Sequence, residues 1–196
     1  ATNGSDAAAG TNWATAKDRA QRNSGSFPLP TSRAVDRSDR RQRFVQAVRE
    51  SPLFASPERR EQAEFMAYAV RLRADGEFIA RHPVEAFANH VHNGLERVAL
   101  RKPDEILVGC SRPQKAKHGY DLPMVVLETC MADQPFIIDT IKLVLNRLDV
   151  IVLGTLNMIL PVERDAEHRL VDLTTDNPQA RPESFSCHLL SPSSVG

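Results

Sequence analysis

The residue pattern predicts an α+β fold: preceding helices that lead into a ferredoxin-like β-α-β-β unit, behind a disordered N-terminal head. Three observations carry this. Residues 124–129, Met-Val-Val-Leu-Glu-Thr, form a short β-branched and apolar run. After Asp133-Gln134-Pro135, apolar residues recur at Ile137, Ile141, Val144, Leu145 and Leu148, the spacing of one helical face. Residues 150–162 are too β-branched for a second helix; Asp165-Ala166-Glu167-His168 then breaks the chain, and residues 169–173 alternate as a returning strand.

The elements follow in chain order. Residues 1–35 are rich in Ala, Thr, Asn, Ser and Gly, with Trp13 the only large aromatic before Phe27. Such a segment buries too little apolar surface to offset its ordering entropy. Its arginines and serines resemble an organelle-targeting remnant in composition, but Asp6 and Asp18 count against that. A helical segment spans residues 36–103. Phe44, Val45 and Val48 mark a helix ending before Pro52. Ser56-Pro57 is a helix start, with serine as N-cap and proline at the first helical position. The apolar face of that helix runs through Phe65, Met66, Ala69, Val70 and Leu72 until Asp75-Gly76 stops it. A further helix is predicted over residues 83–100, with Phe87, Val91, Leu95 and Val98 on one side.

The α+β domain then occupies residues 104–196. It starts with a strand over 105–109 and a polar loop over 111–120. Pro135 is expected at the first helical position of the crossover helix, where its missing N–H costs nothing. In the long strand, Val150, Val152, Leu156, Met158 and Leu160 are expected on one face, with Gly154 among them so that a helix can approach closely. Ile151, Leu153, Thr155, Asn157 and Ile159 form a second face too apolar for solvent, and the N-terminal helices are expected to cover it.

Composition excludes several classes. The chain of 196 residues has 25 basic and 25 acidic side chains, which removes a global electrostatic case for nucleic acid or anionic membrane. The balance is uneven along the chain, because residues 1–43 carry eight Lys/Arg against four Asp. Cys110, Cys130 and Cys187 are odd in number and widely spaced, as in a reducing compartment. The longest apolar run falls far short of the ~20 residues of a membrane span. The reading is a soluble intracellular protein, cytoplasmic or, in a eukaryote, mitochondrial.

Candidate chemistry is sparse. The nine glycines include no G-x-G-x-x-G, so these residues do not build a dinucleotide site. On a helix His90 and His92 point about 200° apart and cannot share an ion. No metal site is expected, and these histidines, with His82, are read as solvated or capping. Cys130 precedes a helix N-terminus, which lowers a thiol pKa, but a buried strand-end thiol is the plainer reading. Cys187 and His188 face opposite ways on a strand, which defeats a nucleophile–base pair. Arg112, Lys115, Lys117 and His118 form a solvated basic loop. The strands offer only Phe185 for stacking a base, so RNA binding, the third hypothesis for this topology, is weak.

Several segments in order resemble the N-terminal region of the large NAD-specific glutamate dehydrogenases. They are Ile106-Leu107-Val108 with His118-Gly119-Tyr120, Val125-Val126-Leu127-Glu128, and Gln134-Pro135-Phe136-Ile137-Ile138-Asp139-Thr140 with Leu145-Asn146-Arg147. The likeness continues through Ile159-Leu160-Pro161-Val162-Glu163-Arg164-Asp165-Ala166, Arg169-Leu170 and Glu183-Ser184-Phe185. It implies an ACT-type regulatory domain, with a further strand over 185–190 and one more helix and strand still needed to complete it. It also implies that NAD and catalysis belong to the parent enzyme, with no cofactor in this chain. The partners implied are other domains and subunits of a homo-oligomer, and an amino-acid effector. The loop Cys130, Asp133, Gln134, Pro135 and Phe136 is then the candidate effector or interface site. Phe136 stands where effector-binding ACT domains commonly carry Gly, and His168 replaces the Gly of the family's hairpin turn. A free-standing amino-acid sensor is the second hypothesis.

Overall fold

Among the described residues four helices come first, and Asp75 is one of the residues that stitch them to the sheet. The computed structural model describes residues 32–174 and 177–195, so most of the head expected to be disordered lies outside the described residues. Helix α1 spans Ser32–Arg49, starting inside the stretch assigned to that head. Helix α2, Pro57–Arg73, begins as predicted: the Ser56 hydroxyl accepts from Arg59 N–H and Pro57 sits in the first turn. The Asp75-Gly76 stop is also a start. Asp75 caps an unpredicted short helix α3, Gly76–Arg81, its Oδ1 accepting from Phe78 N–H at 2.6 Å. Its Oδ2 accepts from Thr155 N–H at 2.8 Å, and its own N–H donates to Thr155 O at 3.0 Å. Arg40 of α1 locks α3 from the other side by donating to Ile79 O and His82 O. Helix α4, Phe87–Val98, is shorter than the predicted 83–100 because Ala86 and Phe87 close turns onto Pro83 and Val84.

The remaining elements are β1 (Leu107–Ser111), α5 (Lys115–His118), β2 (Val125–Ala132), α6 (Ile137–Arg147), β3 (Val152–Arg164), β4 (Leu170–Leu173) and β5 (Arg181–Leu190). They build one sheet in the order β1-β2-β5-β3-β4, every neighbouring pair antiparallel. Strands β2 and β3 both oppose β5, hence run parallel, and α6 is their crossover. The α+β class is as expected. The simple β-α-β-β reading needs correction: the returning strand β4 is only the outer edge strand, paired with β3 alone through three residue pairs. Strand β5 takes the central place. A central strand must be buried on both faces, and the last eight residues of β5 are buried without a break, whereas β4 buries only Leu173. The edge beside β2, where a ferredoxin-like plan calls for a strand after β5, is held by β1.

The two sheet faces are covered differently, and here the expectation was inverted. Helices α1 to α4 seal the face that carries Leu156, Met158, Leu160, Phe185, Cys187 and Leu189, and with it they form one apolar cluster. Gly154 is on that face as predicted; a Cβ there would lie 2.7 Å from Phe78 N, so α3 seats directly on the strand backbone. Val152 is not on that face. A register shift between Val152 and Gly154 turns the start of β3 over, so Leu153 packs on the main cluster. Val150 and Val152 join a second cluster of Val125, Leu145 and Leu190 beneath α6. That other face is covered by α6, and only in part: Ile151 and Ile159 remain 55% exposed. Among the described residues no helix is long and apolar enough to cross a membrane.

Candidate functional site

The loop between β2 and α6 opens a groove of about 420 Å³ on the partly covered face. Asp133, Gln134, Pro135 and Phe136 all line it, with Ile137–Asp139 and, across the groove, Asn157, Ile159 and Ser184. The helix starts two residues later than expected. Phe136 has φ 67°, in the left-handed region, so the helical backbone begins at Ile137 and Pro135 lies outside it. The Phe136 ring is thrown out to 76% exposure. No side chain caps α6, so its first-turn N–H groups face the groove without a side-chain acceptor. The buried Oδ1 of Asn157 also lacks a hydrogen-bond partner. N–H groups at a helix N-terminus suit a carboxylate, while Asp133 and Asp139 beside them suit an ammonium. Such a groove has the complementarity for a zwitterion.

Cys130 does not share this groove. Strand parity puts it with Glu128 on the sealed face, where its thiol donates to Glu183 Oε2 at 3.5 Å. Burial, helped by the Glu183 charge, pushes the thiol up to about 12, so the helix-terminus activation weighed for it does not operate.

Glu183 is the centre of a buried ion network. Arg101 Nη2 donates to its Oε1 at 2.7 Å; Arg164 Nε and Nη2 donate to Oε1 and Oε2, each at 2.8 Å. The Glu183 residue is 2% exposed and Arg101 4%. Burial alone would raise the Glu183 pKa, but the hydrogen bonds and charges of Arg164 and Arg101 reverse it and hold it at about 2. The same two arginines tie up distant backbone. Arg101 Nη1 reaches the carbonyls of Lys102, Pro103 and Glu105; Arg164 reaches those of His168 and Val98. The network therefore fastens β5 to the end of α4, the 101–105 turn and the β3–β4 hairpin. It borders a cavity of about 520 Å³, onto which Asp133, Asp165 and Arg181 also open. Arg164 and Glu183 lie in segments singled out in sequence, yet their pairing was not anticipated, because two strand residues 19 apart give no local signal of contact.

The histidines are not solvated. His82 is fully buried and His90 3% exposed, with rings packed among Phe44, Phe78, Phe87 and Tyr120. Burial lowers His82 to about 3 and His90 to about 4. His92 points away and packs near Phe54 instead. Cys187 and His188 do face opposite ways: Cys187 lies in the main core, and His188 contacts Ser186 Oγ on the α6 side. In the basic loop Arg112 donates to Val195 O. Phe185 is 1% exposed inside the main cluster and offers no stacking surface.

A family model described as "Glutamate dehydrogenase, ACT1 domain" matches residues 65–191. The chain is 32% identical over 83 residues to a protein of Halomonas elongata named "NAD-specific glutamate dehydrogenase". That stretch is 40% of this chain and 5% of the relative, so the chain spans a small fraction of the curated relative it matches. No solved structure matches it.

Proposed function

We propose that this chain, which belongs to the family of glutamate dehydrogenase ACT1 domains, is a non-catalytic regulatory and assembly segment of a large NAD-dependent glutamate dehydrogenase. The parent reaction would be oxidative deamination of L-glutamate to 2-oxoglutarate and ammonia with NAD, performed by residues elsewhere in the polypeptide. One observation carries the reading: the α6 side of the sheet is apolar and unsealed. Leu143, Val144, Leu148 and Ile151 are between 49% and 65% exposed, with Ile159 and Phe136 nearby at 55% and 76%. Exposed large apolar side chains on this scale suit burial against protein, and a parent many times longer than this chain supplies the protein. The partners are other domains and subunits of a homo-oligomer.

The test is a parent enzyme carrying Val144→Asp with Leu148→Asp. Both side chains are about half exposed or more, so the segment still folds, while sedimentation velocity should show smaller assemblies. An unchanged assembly and an unchanged activity would overturn the proposal. A second reading, amino-acid sensing, is favoured by the uncapped α6 N-terminus and the partnerless Asn157 oxygen in the groove. Calorimetric titration of the chain with glutamate and other amino acids separates the two: saturable one-to-one heat supports sensing, and none supports assembly alone.

A further inference from the structure

We propose that His90, Glu128 and Cys187 form a buried site for one divalent transition-metal ion of the zinc type. Glu128 and Cys187 are register partners on β2 and β5, with side chains on the sealed face. His90 descends on them from α4. One ligand atom from each residue lies within 4.8 Å of the other two, and all three residues are buried. Bonds of about 2.0–2.3 Å place the donors of a tetrahedral ion roughly 3–4 Å apart, so closing the site takes side-chain shifts on the order of 1 Å.

The donor set is chemically selective. Thiolate and imidazole favour zinc over magnesium or calcium, and one carboxylate completes three protein ligands. On binding, the Cys187 thiol releases its proton to solvent and Glu128 ligates as carboxylate; the two charges neutralise the ion. The surroundings resemble an outer ligand shell. Arg97 Nε donates to Glu128 Oε2 at 2.9 Å, which orients the carboxylate and leaves its other oxygen for an ion. Gly109, the β1 partner of Glu128, makes this possible, because a Cβ there would fall inside the Arg97 guanidinium. The Tyr120 hydroxyl is 3.4 Å from His90 Nδ1 and fixes that ring. Beside His90, at 4.7 Å between ring centres, the fully buried His82 has an Nε2 with no hydrogen-bond partner among the described residues.

The probe is cobalt(II), added during refolding of the full chain after chelator treatment, since a site this deep is filled as the chain folds. One equivalent should produce a thiolate-to-cobalt charge-transfer band, displaced by one equivalent of zinc. The band should vanish in Cys187→Ser and persist in Cys110→Ser and Cys130→Ser. Should Cys187→Ser fail to fold, the unmodified chain still decides: its thermal midpoint should rise with zinc and fall with chelator. Absence of the band, its survival in Cys187→Ser, or a midpoint indifferent to zinc and chelator would each overturn the proposal.

Discussion

Replacing Glu183 by glutamine tests the ion network at its centre. The substitution keeps the side-chain shape and removes the charge, leaving Arg101 and Arg164 facing one another with a neutral amide between. Both arginine side chains are largely out of solvent, 5% and 13% exposed, so water cannot take over for the carboxylate. The displacement of the Glu183 pKa from 4.5 to about 2 corresponds to about 3 kcal/mol in favour of the ionised form. Stranding buried partners generally costs about 3–5 kcal/mol, in agreement. A domain of this size is stable by only about 5–15 kcal/mol, so urea unfolding at neutral pH should show a large fall in midpoint. The pH dependence has a definite sign. A carboxylate with a depressed folded pKa stabilises above its unfolded value and loses that contribution as pH falls from about 4.5 towards about 2. Glu183→Gln should lack this acid limb. A loss below about 1 kcal/mol in Glu183→Gln would refute the reasoning.

Two further outcomes follow from buried or strained groups. His82, His90 and His188 are held by burial at about 3, about 4 and about 4, below their ordinary 6.5. The unfolded chain therefore binds more protons below pH 6.5, and each histidine should cost about 1.4 kcal/mol by pH 5.5. In chelator, urea unfolding of the chain should weaken by about 4 kcal/mol between pH 7.5 and 5.5, and an unchanged midpoint would contradict the burial argument. His168 sits at φ 66° in the β3–β4 turn. His168→Gly should relieve up to about 1 kcal/mol of left-handed strain, seen as a higher thermal midpoint, since the side chain is not part of the Arg164 contact to the His168 carbonyl.

What the sequence disclosed was local, and what it withheld was not. The Ser56-Pro57 start of α2 and the close approach at Gly154 were legible, because each depends on one residue's own conformational chemistry. Sequence alone marks Asp75 only as a stop. Its second function, capping α3 and bonding Thr155, requires knowing that the strand comes alongside. The face assignment at Val152 failed for a related reason: alternation predicts faces only while the register is unbroken, and the bulge at Val152/Gly154 breaks it. The loop from Asp133 to Phe136 is marked as a site only by the family resemblance; helix-start chemistry places a helix beside it, and Phe136 in the left-handed region moves that start to Ile137. The resemblance includes Cys130 in that loop, and strand parity sends it to the opposite face. The pairing of Glu183 with two arginines, and of His90 with Glu128 and Cys187, comes from elements far apart in the chain. No spacing rule reaches that far.

The difference between the two sheet faces bears directly on what the segment is for. Glu183 with its two arginines, and the His90 cluster, lie on the helix-sealed face, where four helices and the sheet share one core. That side needs no further protein to be complete. The opposite side rests on α6, an 11-residue helix with only Ile137 and Leu145 buried. Helices of that length are marginal without tertiary support. Fully burying a large aliphatic side chain is worth about 1.5–3 kcal/mol, so covering the half-exposed Leu143, Val144, Leu148, Ile151 and Ile159 would add on the order of 5 kcal/mol. An unaccompanied chain should therefore lose α6 protection before the sealed core opens. Hydrogen exchange on the chain and on the parent enzyme measures this: amides of α6 should exchange fast in the first and slowly in the second, with those of β5 slow in both. Equal exchange of α6 in the two would mean that this face stays open in the assembled enzyme, and the assembly role would then have to be abandoned.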